Sequence, residues 1–415
     1  MLRRVRSMII TSPTGSGKTV LTAHMLKSAQ ERGMVAWFLV HRRELVKQTI
    51  EALNEVGVKH GVCAAGWAQD KNALIQVASI QTMARRFQYY RKPALMVFDE
   101  AQHCAASTWS KLYSIFPEAY KVGLTATPQR LDGKGLRKYF GELIRGPSVA
   151  LLIEQGFLSQ FKIYAPSQIS VEGLRTRMGD FAKEELAIAA DKPTITGCAV
   201  DHYLRLSPGK RAVVFCAGIA HSEHVVAQFQ SRGIAAEHVD GKTDPWKRDL
   251  AIKRFKNGEI KILSNVELFG EGFDVPAIES VILLRPTQSL ALHLQQIGRA
   301  LRPVDGKSHA IVLDHAGNTL RHGLPDEDRQ WSLDGSKGAR KSTDAPRVAC
   351  RICPVCFAAQ GFGTGACRYC GAAFEASPRE VEQVEGTLEE IDARAIQLAR
   401  RGEQAKAATL EELVE

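Results

Sequence analysis

No apolar run in the 415-residue sequence approaches the roughly 20 residues that a membrane-spanning helix needs, which argues against such a helix. The chain starts Met1-Leu2-Arg3-Arg4-Val5-Arg6, which is basic, but the apolar run behind it is too short for a secretory signal. A cytoplasmic protein with no membrane partner is the expectation. Cysteine is sparse over most of the chain. Cys63, Cys104, Cys198 and Cys216 stand alone and read as buried thiols. Acid is in deficit too: 55 Lys and Arg face 45 Asp and Glu, a formal charge of +10 that favours a polyanionic partner. What remains, 45% hydrophobic and 24% charged residues, is the composition of a globular protein long enough for two or three domains.

The chain is organised around Ser12-Pro13-Thr14-Gly15-Ser16-Gly17-Lys18-Thr19. An apolar run precedes it and a helix-like stretch follows, and that strand–turn–helix context makes a phosphate-binding loop credible. Gly15 and Gly17 let backbone N–H groups curl around phosphate oxygens. The helix behind them points its positive end at the same anion. In such a loop Lys18 reaches the β- and γ-phosphates and the Thr19 hydroxyl ligates Mg²⁺. Ser12 departs from the pattern, which has Gly there.

Short apolar segments at 8–11, 36–40, 75–79, 95–98 and 121–124 alternate with helical stretches, which predicts a parallel sheet covered by helices. Ligands of such a sheet bind at the carboxyl ends of its strands. Basic residues 41–43 follow the second strand, and Ser79-Ile80-Gln81-Thr82-Met83 closes the third. Leu95-Met96-Val97-Phe98 ends in Asp99-Glu100-Ala101-Gln102-His103, a Walker B arrangement. There Asp99 holds Mg²⁺ and Glu100 orients or deprotonates water. Gly123-Leu124-Thr125-Ala126-Thr127-Pro128 is another strand that ends in hydroxyls. A second alternating block has strands at 212–216, ending at Val239-Asp240-Gly241, at 261–264, at 281–284 and at 310–314, with no phosphate loop of its own. It carries Glu271-Gly272-Phe273-Asp274 and Gln295-Gln296-Ile297-Gly298-Arg299-Ala300-Leu301-Arg302. Arg299 and Arg302 are three apart, on one face of a helix.

These residues resemble superfamily 2 helicases. Residues 12–19 look like motif I, 41–45 like motif Ia and 79–83 like motif Ib. Residues 99–102 look like motif II, 125–127 like motif III, 271–276 like motif V and 295–302 like motif VI. The resemblance implies two RecA-like α/β domains in tandem and an ATP-driven nucleic-acid motor using Mg²⁺. Thr14, Gly15, Ser16, Gly17, Lys18, Thr19, Asp99, Gly272 and Asp274 would bind nucleotide. Lys18, Asp99, Glu100, Gln102, Gln295, Arg299 and Arg302 would carry catalysis, with the two arginines as fingers on the γ-phosphate. Motif II usually has His where Gln102 stands; Gln102 and His103 can each bridge it to the neighbouring domain by hydrogen bonds. Arg42, Gln81, Thr82, Thr125, Thr127, Arg285 and Thr287 are the candidate nucleic-acid contacts. Helicases of this kind also place an adenine-reading Gln upstream of motif I. None occurs in residues 1–11, so ATP and GTP are expected to be hydrolysed within about tenfold of each other.

The remaining five cysteines crowd between Cys350 and Cys370. Cys353, Cys356, Cys367 and Cys370 form two C-x-x-C knuckles, the spacing of a structural four-thiolate Zn²⁺ ribbon. Cys350 is an alternative first ligand. The expected organisation is a first domain at 1–146, a connector at 147–195 and a second domain at 196–333. A linker at 334–347, the ribbon at 348–375 and an acidic helical tail at 376–415 follow. The ribbon, the Arg285-Pro286-Thr287 run and Asp314-His315-Ala316-Gly317-Asn318, which reads as a turn, narrow the likeness to bacterial and phage helicases of the RadD DNA-repair type. That likeness implies DNA as the polymer and a repair or single-strand-binding protein as partner. A restriction-system motor subunit, or a zinc-ribbon binding protein with an idle motor, are the rival readings.

Overall fold

In the computed structural model the described residues are 5–128, 135–165, 176–177, 180–181, 193–266, 268, 278–334, 350–361 and 363–374. The described residues up to Ala373 form one compact unit, and its two large sheets define two lobes. The first lobe holds seven strands: β1 (Ser7–Thr11), β2 (Ala36–Val40), β3 (His60–Cys63), β4 (Ile75–Ser79), β5 (Leu95–Phe98), β6 (Tyr120–Thr125) and β7 (Glu142–Arg145). All pair in parallel, in the order β3-β4-β2-β5-β6-β1-β7. Helices α1 (Lys18–Glu31), α2 (Arg43–Glu55), α3 (Ile80–Arg86) and α4 (Ser107–Ile115) cover it. Every residue of β2, Ala-Trp-Phe-Leu-Val, is buried, because a parallel strand with helices on both faces has no wet side.

The second lobe begins earlier than the sequence suggests. After α5 (Val149–Glu154), β8 (Gln160–Tyr164) is the edge strand of its sheet, not part of a connector. Its burial alternates, as an edge strand with one dry face requires. The short strands β9 (Thr176–Arg177) and β10 (Asp180–Phe181) pair with each other, and α6 (Pro193–Leu206) follows. The rest of the sheet is β11 (Ala212–Phe215), β12 (Ala236–Val239), β13 (Ile262–Asn265), β14 (Ser280–Leu283) and β15 (His309–Asp314), in the order β12-β13-β11-β14-β15-β8. Between them lie α7 (Ile219–Ser231), α8 (Pro245–Lys256) and α9 (Leu290–Ala300), and α10 (Asn318–His322) follows β15.

The end of the second domain also differs from expectation. Leu324 is buried in the second lobe's core, but Leu333 is buried in the first lobe's core, where its carbonyl accepts from the N–H groups of Leu136 and Arg137. Residues 324–334 are thus a strap that returns to the first lobe. The hairpin of β16 (Arg351–Ile352) and β17 (Ala359–Gln360) is held on the second lobe. The Ala165 N–H donates to the Phe357 carbonyl, and Cys350 and Ala359 sit in that lobe's core. The expected linker and tail lie almost wholly outside the described residues, as do Gly272 and Asp274.

Candidate functional site

The phosphate loop leaves β1 at its carboxyl end and enters α1. Gly15 has φ +86° and Gly17, which caps α1, has φ +82°, left-handed conformations that glycine adopts without steric cost. The Ser12 hydroxyl donates to the Ser16 hydroxyl at 2.6 Å, so the residue that departs from the pattern ties the loop to itself. Lys18 Nζ donates to the Ser12 and Pro13 carbonyls at 2.8 and 2.9 Å. Burial pushes the Lys18 ammonium below the ordinary lysine value; Glu100 and Asp99 oppose that shift, while Arg299 and Arg302 add to it. Two acidic residues of motif II and two arginines of motif VI thus lie close enough to act on the motif I lysine.

Glu100 adopts φ +49°, a left-handed conformation rare outside glycine and often found at functional sites. Its carboxylate accepts from Gln102 Nε2 at 2.9 Å. Gln102 Oε1 accepts from the Thr125 hydroxyl at 2.6 Å, and Thr125 Oγ1 accepts from the Thr127 N–H. Gln102 thus bridges motif II to motif III within the first lobe, where a bridge to the other lobe was expected.

The second lobe contributes α9. Ser289 caps it, accepting from the Leu292 N–H at 3.2 Å. At the other end Lys307 Nζ donates to the carbonyls of Ala300, Arg302 and Ile278, closing off the helix's last turn. Sequence reading missed Lys307; a lysine five residues past motif VI is a weak signal for such a clamp. Gln295 and Arg299 are 4% and 6% exposed. The helix reaches the phosphate loop through Gly298: a Cβ there would stand 2.7 Å from Thr14 Cβ. A Cβ at Gly15 would stand 3.4 Å from Arg302 Cγ.

The nucleic-acid candidates divide. Gln81 is exposed, Thr82 is half-buried, and Arg42 is half-buried with Nη1 donating across the cleft to the Leu268 carbonyl at 3.2 Å. Thr125 and Thr127 are buried and engaged with motif II, so they do not offer a surface to a polymer. Arg285 and Thr287 are also buried, both bonded to the Asp180 carboxylate. Asp314, the last residue of β15, accepts from the Ala316 and Thr319 N–H groups and so ties the turn at 315–317 and the start of α10 to the strand end.

The four cysteines Cys353, Cys356, Cys367 and Cys370 bring their sulfurs within 4.8 Å of one another. The pairs Cys353–Cys370 and Cys356–Cys367 are each 3.6 Å apart. Four sulfurs about 2.3 Å from a tetrahedral Zn²⁺ are about 3.8 Å apart, so the donor set fits zinc. The Val355 and Tyr369 N–H groups donate to the Cys353 and Cys367 sulfurs, which favours thiolates. Cys350 is outside the cluster: its thiol donates to the Thr319 carbonyl, and burial pushes its pKa up to about 12.

A parallel-sheet lobe with a phosphate loop and an acidic strand end, faced by an arginine helix from a second such lobe, defines a two-lobed nucleotide-driven motor. Residues 3–130 match the family described as type III restriction enzyme, res subunit, and residues 197–304 match the helicase conserved C-terminal domain. A 51.5 kDa protein of a Lactococcus phage (isolate 7-9) is 34% identical over 391 residues, which cover 94% of this chain and 83% of that protein. A Saccharomyces cerevisiae protein named as an ATP-dependent helicase, IRC3, is 27% identical over 330 residues. The match takes in 74% of this chain and 48% of the yeast protein, so the chain spans about half its length. The HsdR-subunit fragment of a type I restriction enzyme from Vibrio vulnificus YJ016 superposes with a TM-score of 0.61 at 22% identity, over 78% of this chain and 64% of that one. The chain belongs to the superfamily 2 helicases, ATP-dependent motors that act on nucleic acid.

Proposed function

We propose that the protein is a DNA motor of the RadD type, which hydrolyses ATP between its lobes and converts the cycle into movement along DNA or strand separation. One observation carries the reading: Gly298 lets α9 meet the phosphate loop at Thr14, which brings Arg299 and Arg302 into the same field as Lys18, Asp99 and Glu100. The loop N–H groups and Lys18 hold the phosphates. Thr19 and Asp99 would hold Mg²⁺, which when bound neutralises phosphate charge. Glu100 orients the attacking water, and Arg299 and Arg302 stabilise charge that develops on the γ-phosphate. Gln102 and Thr125 carry the state of Glu100 to motif III. Arg42, Gln81 and Thr82 remain the surface candidates for the DNA backbone. The cysteine cluster binds one structural Zn²⁺, and a repair or single-strand-binding protein is the expected partner. The test is ATP hydrolysis with single-stranded, duplex and forked DNA and with RNA as stimulators, read beside strand displacement. Stimulation by RNA alone overturns the DNA assignment.

The likeness to restriction-enzyme subunits favours a second reading, a motor that works beside a nuclease. Co-purification of a nuclease from the source cells, with ATP-dependent DNA cleavage by the complex, would select it.

A further inference from the structure

The strap places a cavity beside the phosphate loop that none of the motifs explains. Its volume is about 120 Å³, several times the ~10–15 Å³ that a single water requires. On one side it opens onto Ser12, Pro13 and Thr14, the residues just before the phosphate cradle, and on another onto Gly298 and Leu301 of the second lobe. The strap closes it with Pro325, Glu327, Asp328 and Trp331. Trp331 lies there among Pro13, Pro147 and Pro325, and two carboxylates, Glu327 and Asp328, are balanced by two guanidinium groups, Arg145 and Arg329, so the lining offers an aromatic wall without a net charge of either sign. A triphosphate held on Gly15 to Thr19 must send its nucleoside away from the loop, and this cavity adjoins it.

We propose that this cavity seats the base of the bound nucleotide, with the purine ring stacked on Trp331. The inference rests on the motor reading above. The seat is built in advance of binding, because both ends of the strap are fixed in the lobes: Leu324 is in the second core and Leu333 in the first. Arg145 Nη1 donates to Gln330 Oε1 and Nη2 to the Trp331 carbonyl, each at 2.9 Å, which holds the tryptophan's backbone on the first lobe. Arg329 Nη2 donates to the His322 and Leu324 carbonyls and holds the other end. A rigid aromatic wall loses little freedom when a ring stacks on it. The exposed Asp328 carboxylate at the rim is an acceptor for an exocyclic amine. Stacking accepts either purine, since every base has a π-face, so the seat agrees with a narrow gap between ATP and GTP.

The test compares MgADP with inorganic tripolyphosphate, which has no base, by calorimetric binding to the full chain. Trp331→Ala should weaken MgADP by roughly tenfold or more and leave tripolyphosphate unchanged, and Trp331→Phe should recover most of the loss. Unchanged MgADP affinity in Trp331→Ala overturns the seat. So does equal weakening of both ligands, which would mean that the strap only props the loop. Lys18→Ala separates the two levels of argument. If it loses MgADP while Trp331→Ala does not, only the seat fails; if wild-type protein binds neither ligand and hydrolyses no ATP, the motor reading fails as well.

Discussion

Gly298 of α9 faces Thr14 of the phosphate loop so closely that any side chain at 298 would collide with Thr14 Cβ at 2.7 Å. Motif VI therefore needs a glycine for contact as well as arginines for charge. Gly298→Ala should force the lobes apart by a few tenths of an ångström or more and lower kcat. Overpacking of this kind costs about 1–3 kcal/mol, or roughly fivefold to 150-fold in rate if borne in the transition state. Thr14→Gly in the same background should restore part of the rate. Steady-state hydrolysis that is unaffected by Gly298→Ala would show that the contact has no place in turnover.

Which parts were legible in the sequence follows from how local each feature is. The phosphate loop, Asp99-Glu100 and Arg299 are short contiguous patterns whose chemistry is set by residue type. β8 was legible in principle, since Gln160 to Tyr164 alternates, but its place in the second sheet depends on pairing with β15, far along the chain. Leu333 carries no mark of the first lobe, because its burial depends on the strap's return. Thr125 ends a strand as expected and Thr127 lies just beyond it, yet which way a hydroxyl faces at a strand end depends on Gln102 alongside. Cys350 and Cys353 are spaced as well as Cys353 and Cys356, and only packing separates the buried thiol from the cluster.

Lys18→Ala should abolish nucleotide-dependent turnover by removing the cation from the phosphates. Glu100→Gln keeps the shape and the bond from Gln102 but loses the base, so nucleotide should still bind while hydrolysis falls by about 10²–10⁴. Rapid-quench turnover beside equilibrium binding checks both, and wild-type rates in either variant would remove that residue from the mechanism.

Arg299→Ala should leave nucleotide affinity within a few fold and lower the hydrolysis rate by about 10³ or more, because a finger acts on charge developing in the transition state. If affinity and rate fall by one factor, Arg299 binds the ground state and is not a finger.

Elemental analysis should find one zinc per chain, lost in Cys353→Ser and Cys370→Ser. Cys350→Ser should keep the metal and lower stability instead, since that thiol is packed in the second lobe's core. Basal ATP hydrolysis should largely survive zinc loss. A metal-free wild-type protein, or zinc lost with Cys350→Ser alone, would change the ligand assignment.

Acid should destabilise the second lobe before it protonates many carboxylates. His315 stacks on His202 with ring centroids 5.0 Å apart, and burial, with a smaller contribution from His202, pushes its pKa down to about 3. His322, 5.3 Å from His293, is pushed down to about 4, chiefly by burial. Both folded values lie below the ordinary histidine value near 6.5. Below pH 6.5 the unfolded chain takes up protons that the folded chain refuses. The stability is therefore complete above pH 6.5 and is lost as pH falls toward about 3. At pH 5 the cost is about 2 kcal/mol per such histidine. Urea denaturation at pH 7.5 and pH 5.0 should show wild type losing about that much more than His315→Gln, which has no proton to take up. Equal losses in the two proteins would mean that His315 titrates normally and that the stacked pair is open to solvent.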